Sequence, residues 1–103
     1  MYNVKFLPSA ENEMYEIVDY IANELMNVPA AEKLINSLIK ARDNLKIFPK
    51  SHTVFNIIKS IEVRRAVVLY CSMFYIIDEK AKLVTIINVK HNLTNFTNTD
   101  INI

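Results

Sequence analysis

Tyr2, Val4 and Phe6 alternate with Asn3 and Lys5, the two-residue period of a strand with one face on a core. Pro8 ends the alternation. Ser9 follows where an N-cap belongs, with Glu11 and Glu13 placed in the first turn against the positive end of a helix dipole. Loss of that cap would cost about 1 kcal/mol. Ala10, Met14, Ile17, Val18, Ile21, Ala22 and Leu25 then recur at spacings of three and four, which predicts a helix with one apolar face. Asn27 and Pro29 interrupt the pattern and restart it, because asparagine caps well and proline is accommodated in a first turn. Ala31, Leu34, Ile35, Leu38, Ile39 and Leu45 give the second helix its buried stripe, and Phe48-Pro49 ends it. The short link between the helices predicts an antiparallel helical hairpin.

Residues 50–60 show no clean period and read as a loop carrying Lys50, His52 and Lys59. Beyond it the pattern turns to strands at 61–68, 70–77 and 83–90, the last two joined by the charged connection 78–82. In the middle strand both parities are apolar, which predicts a central strand covered on both sides. The order implies one α+β domain: an N-terminal strand, an antiparallel helical hairpin, then a three-stranded antiparallel meander (β-α-α-β-β-β), with the helices on one face of the sheet and the other face partly open. Residues 1–96 form the domain, and 97–103 read as a polar C-terminal tail, loose past Phe96.

Composition narrows the classes. A chain of 103 residues, 51% hydrophobic and 22% charged, suits one compact domain. Its single cysteine, Cys71, allows no internal disulfide, and neither a secretory signal nor an apolar run of membrane-spanning length is visible. The expectation is a cytoplasmic protein with no membrane partner, in which the two Asn-X-Thr sequons after His91 carry no weight. The chain contains no glycine, which excludes phosphate-cradling P-loops and dinucleotide fingerprints, and no cofactor is expected. His52, Cys71 and His91 lack the paired spacing of zinc ligands, so no metal is expected either. Charge is segregated: six acidic residues and no basic one lie between Glu11 and Glu32, and eight basic residues against Asp43 and Glu62 lie between Lys33 and Arg65. Such a split fits two solvated helix faces or a surface that meets an anionic partner.

The opening stretch YNVKFLPSAENEMYEIVDYIANEL, the segment NVPAAEKLINSLIKARDNLKIFPK, the run VRRAVVLYCSMFYIIDE and the closing VTIINVKH resemble, in that order, the strands and helices of the RelE/ParE superfamily of bacterial type II toxins. The resemblance spans the chain up to Phe96. It implies a cognate antitoxin whose C-terminal segment covers the toxin. It further implies one of two targets: messenger RNA on the ribosome, cut without a metal by an RNA-cleaving enzyme (an mRNA interferase), or DNA gyrase, inhibited by binding. A toxin scaffold without activity that only binds protein is the alternative.

Arg64, Arg65 and His91 are the candidate catalytic residues. Successive strand side chains alternate faces, so the two arginines point oppositely. Arg64 shares its parity with Glu62 and Ala66, the more polar set, and is expected on the open side; the bland alternative pairs it with Glu62. Metal-free RNA cleavage needs a base, positive charge on phosphate and an acid for the leaving group. Arg64 would supply charge, and His91, which titrates near neutrality, would be acid or base. Three positions depart from the ribonuclease pattern that the resemblance implies. Glu62 stands where a second basic residue is common, Cys71 where a catalytic arginine is, and Asn92 to Thr94 where an arginine often lies.

Overall fold

The computed structural model describes residues 1–92 and residue 101. Its elements are β1 (Asn3–Phe6), α1 (Pro8–Asp19), a π-helical turn (Tyr20–Glu24), α2 (Val28–Leu45), β2 (Val54–Ile58), β3 (Ile61–Val68), β4 (Cys71–Asp78) and β5 (Leu83–His91). The strands make one sheet in the order β1-β5-β4-β3-β2. β1 runs parallel to β5, and every other pairing is antiparallel. The α+β arrangement with a helical hairpin read from the sequence is present, and the sheet has one strand more than expected.

That strand is β2, inside the segment expected to be a loop. Two features hid it. A bulge between Val54 and Asn56 breaks the alternation of side chains, and the two-residue turn into β3 is Lys59-Ser60, both at positive φ (51° and 67°). Turns of this mirror-image kind are ordinarily marked by Asn-Gly or Asp-Gly. Without glycine the chain places Met26, Leu69 and Lys82 in the left-handed region as well.

α1 begins one residue earlier than Ser9. Leu7 is its N-cap and Pro8 its first residue, because proline has no N–H to leave unpaired and its φ already suits the first turn. The Leu7 N–H is used in the sheet, donating to Ile86 O at 2.9 Å. Ser9 therefore lies within the first turn and is not the cap. Asn27 caps α2 as the sequence suggests, its Oδ1 accepting from the Ala30 N–H at 3.1 Å. The widened turn before it closes when the Leu25 N–H donates to Tyr20 O.

The main core lies between the helices and one sheet face. Ala10, Ile21, Leu34, Leu38 and Leu45 meet Ala66, Met73, Tyr75, Val84, Ile86 and Val89 there. A second, smaller core lies on the other face, where Val63, Phe74 and Ile87 bury Ile101 among Phe55, Ile58 and Ile76. β4 is thus covered on both sides, as its double apolar parity required. The second face is less open than expected, Ile101 being 6% exposed against it. Residues 93–100 and 102–103, with Phe96 and the expected boundary of the tail, lie outside the described residues. No helix among the described residues is long and apolar enough to cross a membrane.

Candidate functional site

The β3–β4 register sets Arg64 opposite Tyr75 and Arg65 opposite Phe74. Tyr75 belongs to the helix-side core and Phe74 to the second core, so Arg64 points toward the helix layer and Arg65 away from it. This reverses the expectation that Arg64 takes the open side. The physical reason is the segment between α2 and β2, which folds over Arg64. One guanidinium nitrogen of Arg64 donates to His52 O at 2.6 Å, and its other terminal nitrogen lies 3.8 Å from a Glu62 carboxylate oxygen. The guanidinium of Arg64 is thus satisfied by backbone carbonyls, and the Glu62 carboxylate stays exposed to solvent.

Tyr75 fastens the same segment, its buried hydroxyl donating to Pro49 O at 2.7 Å. Burial pushes that hydroxyl up to about 12, against the opposing pull of the Arg64 charge. Nearby, Lys50 pairs with Glu79 at 3.0 Å and Tyr2 donates to Glu79 at 2.6 Å. The Tyr2 hydroxyl and then Lys50 hold the Glu79 carboxyl below its usual range. Arg64, Lys50, Glu62 and Glu79 line a cavity of about 350 Å³ in which both charge signs are represented.

Arg65 organises a different group. Its Nε donates to Ser72 Oγ at 2.7 Å and a terminal nitrogen donates to Asn92 Oδ1 at 3.3 Å, while the Ser72 hydroxyl donates to the same Asn92 oxygen. The guanidinium carbon stands 5.9 Å from the centre of the Phe74 ring, within range of a cation–π attraction. Lys90 is the register partner of Ser72 on β5, so Arg65, Ser72, Lys90 and Asn92 form a cationic, amide-bearing strip across three strands of the second face.

The strip is held from the edge of the sheet. β1 ends at Phe6 opposite Ile86, and beyond it the edge of β5 is taken by Glu13 of α1. One carboxylate oxygen of Glu13 accepts from Asn88 Nδ2 at 2.9 Å and from the Val89 N–H at 3.2 Å, and the other pairs with Lys90. Sequence reasoning gave Glu13 only a dipole role, since its partners lie some 75 residues away and no local pattern marks them.

His91 is the register partner of Cys71 and lies on the helix side. It borders a groove with Glu16, Ile17, Tyr20 and Leu25, its ring centre 5.6 Å from that of Tyr70. Cys71 beneath it is fully buried, and burial pushes its thiol up to about 11. Arg64 and His91 face the same layer but stand opposite Tyr75 and Cys71, about 13 Å apart along β4 at the usual rise per residue. Arg65 is on the other face. The three candidates are not brought together.

The family model described as the ParE toxin of the type II toxin-antitoxin system, parDE, matches residues 4–96. Among solved structures, the chromosomal ParDE toxin-antitoxin system from P. aeruginosa contains a chain similar at TM-score 0.70 and 15% identity, covering 88% of this chain and 96% of that one. The toxin-antitoxin complex RelBE2 from Mycobacterium tuberculosis contains another, at TM-score 0.61 and 17% identity, covering 87% and 96%. At such identities these likenesses speak for the fold. No curated protein sequence matches the chain.

Proposed function

The chain belongs to the ParE toxin family of type II toxin-antitoxin systems, and from that premise we propose that it arrests bacterial growth by binding its target, with a cognate antitoxin that neutralises it. The observation that carries the toxin reading is the family match over residues 4–96, nearly the whole domain. The two toxin-antitoxin assemblies with the same fold support the antitoxin as partner.

Binding is preferred to RNA cleavage on the geometry of the candidates. A general acid or base must reach the reacting atom within hydrogen-bond distance, and the charge stabilising the phosphate must stand beside it. Arg64 is committed to the His52 carbonyl, Arg65 lies on the opposite face, and His91 lies at the far end of β5. Cys71 cannot replace the missing arginine, being a buried neutral thiol. The ParE-like target, DNA gyrase, is the reading these features favour. We assign the target-facing role to Arg65 on the second face, since a planar guanidinium beside amide groups suits carboxylate or phosphate, while Lys90 is held by Glu13.

The test is induction of the chain alone in bacterial cells. Growth arrest that the antitoxin reverses supports the toxin reading, and unimpaired growth favours an inert protein-binding scaffold. Primer extension on translated message should show no cuts at the ribosomal A site, while gyrase supercoiling is blocked in a purified assay.

A further inference from the structure

We propose that Ser72 and Asn92 are positioning residues that fix the Arg65 guanidinium, its charge intact, for an anionic group of the toxin's target, an inference that rests on the toxin reading above. The three side chains follow one diagonal across β3, β4 and the end of β5. Arg65 stands opposite Phe74, Ser72 stands between Val67 and Lys90, and Asn92 follows Lys90 by two residues on the same face. Diagonal neighbours on a sheet face are within reach of a long side chain.

Arg65 is held along its whole length. Its main-chain N–H donates to Thr53 O at 3.2 Å. Its guanidinium carbon stands 5.9 Å from the centre of the fully buried Phe74 ring, which is itself set edge-on to Phe55 at 4.9 Å. Beyond the ring, Nε donates to Ser72 Oγ and a terminal nitrogen donates to Asn92 Oδ1. Ser72 is fully buried, and its hydroxyl proton goes on to the same Asn92 oxygen, so the direction of donation runs from arginine to serine to amide. Asn92 is anchored in turn by its N–H, which donates to Tyr70 O at 2.8 Å. An arginine ordinarily loses rotamer freedom when it meets a partner; here that freedom is already lost on folding.

The chemistry of these two acceptors separates the arrangement from a structural ion pair. A carboxylate at position 92 would accept the same two hydrogen bonds and grip the guanidinium more strongly. An amide and a hydroxyl supply the geometry without a negative charge of their own, so the hold they exert does not cancel the charge they orient. Lys90, the other cation of the strip, is held in the opposite manner, by the Glu13 carboxylate. Val67, two residues past Arg65 on the same face, is 58% exposed. The face is therefore open to water toward the β3–β4 turn, the side from which a partner reaches the diagonal.

The experiment measures, for the full chain and two variants, the protein level at which growth is half arrested, together with the thermal melt and the NMR signal of the Arg65 Nε–H. Asn92→Asp keeps both hydrogen bonds and adds a negative charge. It should melt at or above the wild-type temperature yet require about tenfold more protein for arrest, as expected when a charge that meets a partner is cancelled. Ser72→Ala removes the acceptor of Nε without adding charge. Its Arg65 Nε–H should exchange faster with water and its arrest should weaken several-fold, with the melt little changed; this variant decides the matter if the added charge at position 92 impairs folding. Wild-type arrest by a folded Asn92→Asp overturns the proposal, because the charge of Arg65 would then be immaterial to the target. Wild-type arrest by Ser72→Ala overturns it as well, and so does a loss of arrest that follows the melting temperature in both variants, the mark of a network that only supports the fold. Failure of the wild-type chain to arrest growth overturns the toxin reading and this inference with it, whereas arrest by the wild type with unimpaired variants overturns this inference alone.

Discussion

Arg64 and Arg65 are adjacent on β3, and their hydrogen bonds divide their work between holding the fold and presenting charge. Arg64 donates from its charged guanidinium to the main-chain carbonyl of His52. Arg64→Met should lower stability by about 1.5–3 kcal/mol, the range for hydrogen bonds to charged groups, read as a shift of the urea midpoint. Arg65→Ala should weaken growth arrest more than Arg64→Met does once protein levels are equalised. Alkaline pH tests two further residues. Burial raises Cys71 from 9.0 to about 11 and Tyr75 from 10.0 to about 12. Between about pH 9 and 12 the unfolded chain therefore releases protons that the folded chain keeps, and stability falls as pH rises through that window. A melting temperature that declines above pH 9, with a shallower decline in Tyr75→Phe, is the expected result.

Among the strands, β5 depends on a single carboxylate for the part that β1 does not cover. Glu13→Ala removes the acceptor of the Val89 N–H, the Asn88 amide and the Lys90 ammonium together. A loss of about 2–3 kcal/mol is expected where buried donors are stranded, with faster hydrogen exchange at Val89 than at Val84, which β1 still flanks. The helices carry their own check: Leu34→Ala and Leu38→Ala, both essentially fully buried, should each cost about 2–5 kcal/mol. These helices were readable because their apolar spacing is regular and Asn27 marks a restart. β2 was not, since its bulge shifts the alternation and Lys59-Ser60 carries no turn signature. Ser9 misled because a good cap residue followed a proline that had already begun the helix.

The whole molecule offers two unlike surfaces on either side of one sheet. The helix side carries the acidic, apolar groove at the end of α1, and the second face carries Arg65 and Lys90 beside an apolar cluster closed by Ile101. The sequence exposed this division in part: the acidic and basic halves and both arginines were visible, but not which face each arginine takes. Polarity was a poor guide there, because the carbonyls that satisfy Arg64 come from a segment with no pattern of its own. Glu13 lay beyond reach for a related reason, its partners being distant in sequence and brought to it only when β1 pairs with β5 and α1 packs against β5.

Binding in place of cleavage is tested most directly by mapping message ends on translating ribosomes after inducing the wild-type chain alone, alongside a gyrase supercoiling assay with the purified protein. Growth arrest with intact A-site codons and blocked supercoiling is the expected result. Cuts at the A site that disappear in Arg64→Met or His91→Ala would contradict it, because they would require those separated side chains to act at one phosphate.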